Sequence, residues 1–139
     1  MKKSILFVML LSVVSGISAR AQTPKEDRID EEYHQCLLKD TSYANVSACS
    51  FAAYSKWDKE MNKTFNKFIG KLKKDKDKAA MKQSQKAWLA YRDAEFSSYN
   101  FMFDRPGNRW SVLRQEGRIE IVRERTLQLR AYLEALDTR

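Results

Sequence analysis

An all-α antiparallel bundle of three long helices, preceded by a short helix tethered by a disulfide, is the fold this sequence predicts, and three observations carry it. Apolar residues recur three or four apart over long stretches. No stretch alternates with the period of two that a half-buried strand needs. Of the few glycines and prolines, Gly70 and the Pro106-Gly107 pair fall where such helices would have to turn.

The first residues set the compartment. Lys2 and Lys3 form a basic start, Ile5 to Val14 an apolar core, and Ala19-Arg20-Ala21 a small-residue cleavage site, which together read as a signal peptide over residues 1–21. Its apolar run is too short to span a bilayer once the break at Ser15, Gly16 and Ser18 is counted. No cysteine stands at the cleavage point to take a lipid. Residues 22–139 are therefore expected as one soluble domain, periplasmic or secreted, with no membrane span. Three cations and no acid lie in the leader, so the net charge falls from +8 to +5 in the mature chain. That balance favours acidic partners such as an anionic cell-wall polymer, while export argues against nucleic acid. The two cysteines, Cys36 and Cys49, are most simply one disulfide in an exported chain.

Thr23-Pro24 reads as an N-cap followed by proline at the first helical position, and Glu26, Asp27, Asp30, Glu31 and Glu32 suit the positive end of a helix dipole. This first helix is expected to run to about Leu38. Asp40-Thr41-Ser42 makes a turn and Asn45 caps the next helix. In that second helix Val46, Cys49, Ala53, Trp57, Met61, Phe65, Phe68 and Leu72 form one buried stripe. Gly70 and the charged run after it end the stripe, and a third helix follows from about Lys78 to Phe101. Asp104-Arg105-Pro106-Gly107-Asn108 turns the chain into a fourth helix from about Trp110 to Leu136, with Leu113, Ile121, Leu127 and Leu133 among its apolar residues. Gly117 within it suggests a close helix contact.

The third helix carries an unusual mixture. Trp88, Tyr91 and Glu95 share one face, and Gln85 and Arg92 lie on or beside it, although an ordinary amphipathic helix separates such residues. Those polar groups belong either to a packed ion-pair network or to a binding surface. The network is the expectation, with Trp88 and Tyr91 in the core and Arg92 and Glu95 reaching Glu120 or Glu124.

The chemistry inventory points away from an enzyme. His34 is the only histidine, so histidine-rich metal sites and a Cys/His pair are excluded once the cysteines are joined. There is no G-x-S-x-G, no phosphate-cradling glycine loop and no dinucleotide fingerprint. Carboxylate pairs such as Asp58/Glu60, Asp93/Glu95 and Glu120/Glu124 stand among lysines and arginines, where ion pairing explains them. No cofactor and no metal are expected.

Taken together, Cys36 and Cys49 ahead of Trp57-Asp58-x-x-Met61-Asn62, then Gln85-x-x-Trp88-x-x-Tyr91-Arg92-Asp93-Ala94-Glu95, then Arg123-x-Arg125-x-x-x-Leu129 form a recognisable order. It resembles the lysozyme inhibitor LprI family over roughly Cys36 to Leu136. The resemblance implies an exported helical domain whose partner is a lysozyme. Many members carry a cysteine directly after the R-D-A-E segment, paired with one in the last helix. Here Phe96 stands in that place and no later cysteine exists, so packing among Phe96, Tyr99, Phe101 and Trp110 is expected to hold the region instead.

The expected function is therefore a binding protein that occludes a partner's surface, a lysozyme or another envelope protein, with no chemistry of its own. A polyanion or cell-wall binding module using the basic faces at 71–82 and 105–125, and a structural envelope adaptor, are the alternatives. A basic lysozyme would need a local acidic patch, which the first helix could supply, or an apolar plug. For the plug, Arg105, Asn108, Arg109 and Trp110 are the candidates, because arginine and aromatic side chains at a loop end are enriched in interfaces.

Overall fold

The computed structural model of the protein describes residues 27–138. The expected signal peptide and the Thr23-Pro24 helix start lie outside those residues. Four α-helices and no strand are present among the described residues: α1 (Arg28–Leu37), α2 (Tyr43–Lys71), α3 (Asp75–Met102) and α4 (Asn108–Asp137).

Side chains at the helix starts explain where each begins. The Asp27 carboxylate caps α1 by accepting from the Ile29 amide at 3.0 Å. Ser42, not Asn45, caps α2, which therefore starts three residues before Val46. Asn45 lies within the first turn and its amide donates to the Cys36 and Asp40 carbonyls, stitching the α1–α2 turn. Likewise α3 starts at Asp75, not Lys78, because Asp75 and Asp77 meet the positive end of the helix dipole in its first turn. Gly107, at φ 108°, supplies a backbone conformation that side chains resist, and α4 starts at the next residue.

Contacts between helices define the topology. Tyr43 donates to Ser111 near one end of α2 and α4, and Lys71 pairs with Asp137 at the other, so these two helices run parallel. α3 runs back alongside the α2–α4 pair, antiparallel to both: Tyr54 meets Phe96, Asp58 meets Arg92, and Met61 meets Gln85. α1 runs antiparallel to α2, as Tyr33–Ser50 and Asp30–Trp57 require. The bundle is therefore an up-and-down array with a half-length first helix.

Its core forms where α2 faces α4. Trp57, Met61, Val122, Thr126 and Leu129 are fully buried, joined by Ala53, Ile29 and Ile119. The buried Thr126 hydroxyl donates to the Val122 carbonyl at 2.8 Å, which offsets the cost of removing it from water. Phe65 and Trp88 pack on this core from its margin. Tyr91, expected inside, is 53% exposed. Of α3 only Gln85 is fully buried, because the helix is polar round most of its circumference and lies against the α2–α4 pair along one narrow line. Leu127, one of the apolar residues of α4, lies at the surface; the buried face of α4 passes through Ile119, Val122, Thr126, Leu129 and Leu133. Gly117 does mark a close approach, since a Cβ there would stand 2.7 Å from the Tyr99 ring.

Cys36 and Cys49 are joined, with their Cα atoms 5.8 Å apart, and tie the end of α1 to the first turns of α2. Reducing this bond is expected to lower stability by about 3 kcal/mol, the loop-closure entropy of a segment this short. Guanidinium titrations with and without reductant measure it; coincident midpoints would contradict the entropic account.

Candidate functional site

Two polar networks absorb most of the sequence motif. In the first, the Trp57 indole N–H donates to Asp30 at 3.0 Å and the Arg123 Nε donates to the other Asp30 oxygen at 2.7 Å. Arg130 bridges Asp27 and Glu60, its contact with Glu60 at 3.2 Å. Both guanidiniums sit over the Trp57 ring, 5.8 and 5.5 Å from its centroid. Burial pushes the Asp27 carboxyl up, but the Ile29 amide and Arg130 outweigh it and hold the group below the usual carboxylate range. This cluster clamps α1 onto α2 and α4. The sequence marks Asp27 and Asp30 only as acids at a helix start and Glu60 only as one of a carboxylate pair, and it does not mark Arg130, although the spacing of Asp27 with Asp30 and of Arg123 with Arg130 puts each pair on one helix face.

In the second network Arg125 donates through Nε and Nη2 to the Gln85 oxygen, at 3.0 and 2.9 Å, and through Nη1 to Gln128. Its guanidinium lies 5.7 Å from the Trp88 ring centroid. No carboxylate among the described residues pairs with it.

Arg92 departs from expectation. It pairs with Asp93 at 2.7 Å and with Asp58 of α2 at 3.6 Å, and stacks on Trp88 and Phe96. Glu95, Glu120 and Glu124 take no part, because that side of α3 turns toward α2 and brings Arg92 to Asp58. Asn62 is spent locally, donating to the Asp58 carbonyl at 2.9 Å.

At the α3–α4 turn, Arg105 and Arg109 lie 4.9 and 5.7 Å from the Trp110 ring centroid, and Phe103 stacks on that ring. Tyr99 continues the stack through Phe103. Phe101, expected in this packing, is 86% exposed; Phe103 takes its place, while Phe96 turns to Tyr54. Asn108 is exposed in the first turn of α4.

Between α1 and α4 a groove of about 390 Å³ is lined by Asp30, Tyr33, His34, Glu116, Glu120 and Arg123. It holds three carboxylates against one guanidinium. Arg123 is committed to Asp30 and reaches Glu120 only at 3.5 Å, and Glu120 is 56% exposed. Glu116 accepts a long bond of 3.4 Å from Tyr33. The groove therefore offers carboxylate oxygens to a cationic visitor. No group of three or more His, Cys, Asp or Glu among the described residues could hold a metal ion. No helix among them is long and apolar enough to cross a membrane.

Such a molecule is a small disulfide-tethered helical bundle whose polar side chains are spent on holding helices together and whose usable surfaces are the seams between them. The chain belongs to the lysozyme inhibitor LprI family, whose model matches residues 36–129, more than half of its length. No curated protein and no solved structure matches it.

Proposed function

We propose that this is an exported binding protein that inhibits a basic lysozyme by covering it, using the acidic α1–α4 groove and no chemistry of its own. The observation that carries this reading is the excess of carboxylate in that groove on a chain whose overall charge is positive. Two positive proteins do not steer each other together, so a local acidic surface is what a cationic partner requires. Glu116 and Glu120 meet the partner's lysine or arginine side chains, while Asp30 remains structural.

The polyanion reading is weakened by the ion pairs. Lys71 is bound to Asp137, Lys78 to Asp75, Arg123 to Asp30, and Arg125 is buried, which leaves the faces at 71–82 and 105–125 less cationic than their composition. An adaptor role would show instead as capture of an envelope protein without lysozyme inhibition.

Lysozyme activity with the purified mature protein tests the proposal. Wild type is expected to inhibit, and Glu116→Lys/Glu120→Lys to weaken inhibition at least about tenfold, with a loss of potency in wild type as salt rises. Arg105→Ala and Arg109→Ala are expected to inhibit as wild type does. Loss in the arginine variants with the charge-reversed protein unaffected would move the site to the Trp110 turn.

A further inference from the structure

A second groove, of about 400 Å³, opens where α2, α3 and the first half of α4 meet, on a different side of α4 from the acidic one. Phe51, Tyr54 and Phe96 line its apolar part, and Arg114 and Arg118 line the rest together with the neutral Ser50, Ser111 and Gln115. Phe51 is 71% exposed at the rim, whereas Tyr54 and Phe96 pack edge to face behind it.

The two arginines differ from their neighbours on α4. Arg123 and Arg130 are neutralised by carboxylates, and Arg125 is saturated by two glutamines. Arg114 makes one long bond of 3.4 Å to the Ser111 hydroxyl. Arg118 donates to Asn100 at 2.8 Å and stacks 5.2 Å from the Phe96 centroid, but its Nε is buried with no hydrogen-bond partner among the described residues. Among the described residues neither guanidinium forms an ion pair, and no carboxylate among them lines the groove.

The geometry points to a binding site for a small amphiphilic carboxylate, its apolar body against Phe51, Tyr54 and Phe96 and its head between Arg114 and Arg118. A carboxylate is the planar acceptor that matches a guanidinium fork. A cleft of this size with an aromatic floor and a few convergent donors suits a ligand of small-molecule dimensions.

Decanoate below its micelle concentration is the probe, titrated into the mature protein by calorimetry, with amide shifts of Phe51, Tyr54 and Phe96 locating it. Saturable binding is expected, at least about tenfold tighter than for decanol, which has a similar body without the charge. Arg114→Gln/Arg118→Gln is expected to weaken decanoate at least about tenfold and leave decanol unchanged. Should that double variant fold poorly, Arg114→Gln alone, which gives up only one long bond, and Phe51→Ala, which removes an exposed ring, carry the test, each with weaker decanoate binding. Decanol binding as tightly as decanoate, arginine variants that bind decanoate unchanged, or no saturation by wild type would each overturn the proposal.

Discussion

Trp57→Ala is expected to cost about 3–5 kcal/mol of folding free energy, the range for deleting a large buried aromatic. The side chain has no exposed surface and packs with Met61, Val122 and Leu129 at the α2–α4 contact. It is also the floor under Arg123 and Arg130 and the donor to Asp30. Its loss opens a cavity and removes one of the bonds that hold α1 down. Trp57→Phe separates these contributions in part: it keeps an aromatic ring in the core while removing the indole donor and some volume, and should cost less, about 1–3 kcal/mol. Equilibrium denaturation reads both values. A Trp57→Ala protein within about 1 kcal/mol of wild type would mean that the core is organised elsewhere.

Gln85→Leu should be nearly as damaging for a different reason. Arg125 is only 6% exposed, and its charge is met by amide oxygens and the face of Trp88, with no carboxylate among the described residues. Burial pulls its guanidinium below the ordinary arginine range, yet arginine keeps its proton in proteins. Leucine at position 85 would strand two charged N–H groups in the interior, a loss of about 3 kcal/mol or more. Arg125→Met in the same chain removes the stranded charge, so the double variant is expected to recover most of the stability lost by Gln85→Leu alone. Melting curves of the wild type, the two singles and the double form the cycle. A double variant no more stable than Gln85→Leu would show that the glutamine serves something other than Arg125.

Much of this architecture was legible in the order of residues. The stripe from Cys49 through Ala53, Trp57 and Met61 to Phe68 is buried as its spacing predicts, because a helix of 3.6 residues per turn leaves a sequence no choice about which side chains share a face. The Cys36–Cys49 bond followed from composition and proximity, and the motif order from Cys36 to Leu129 carried the family. The grooves were less legible. Glu116, Glu120, Arg114 and Arg118 look like ordinary surface charges until α1, α2 and α3 are set against α4.

What the sequence by itself determined is therefore the set of helices, the buried face of α2 and the covalent tether, all of them consequences of local spacing. Only the tertiary structure decided the partners: Arg123 with Asp30 across 93 residues, Arg92 with Asp58 and not Glu95, Tyr91 outward and Gln85 inward. Periodicity ranks the residues of one helix around its own axis. The rotation of that helix against its neighbours is set by how all the side chains pack at once, and a few tens of degrees of it separate a buried tyrosine from an exposed one.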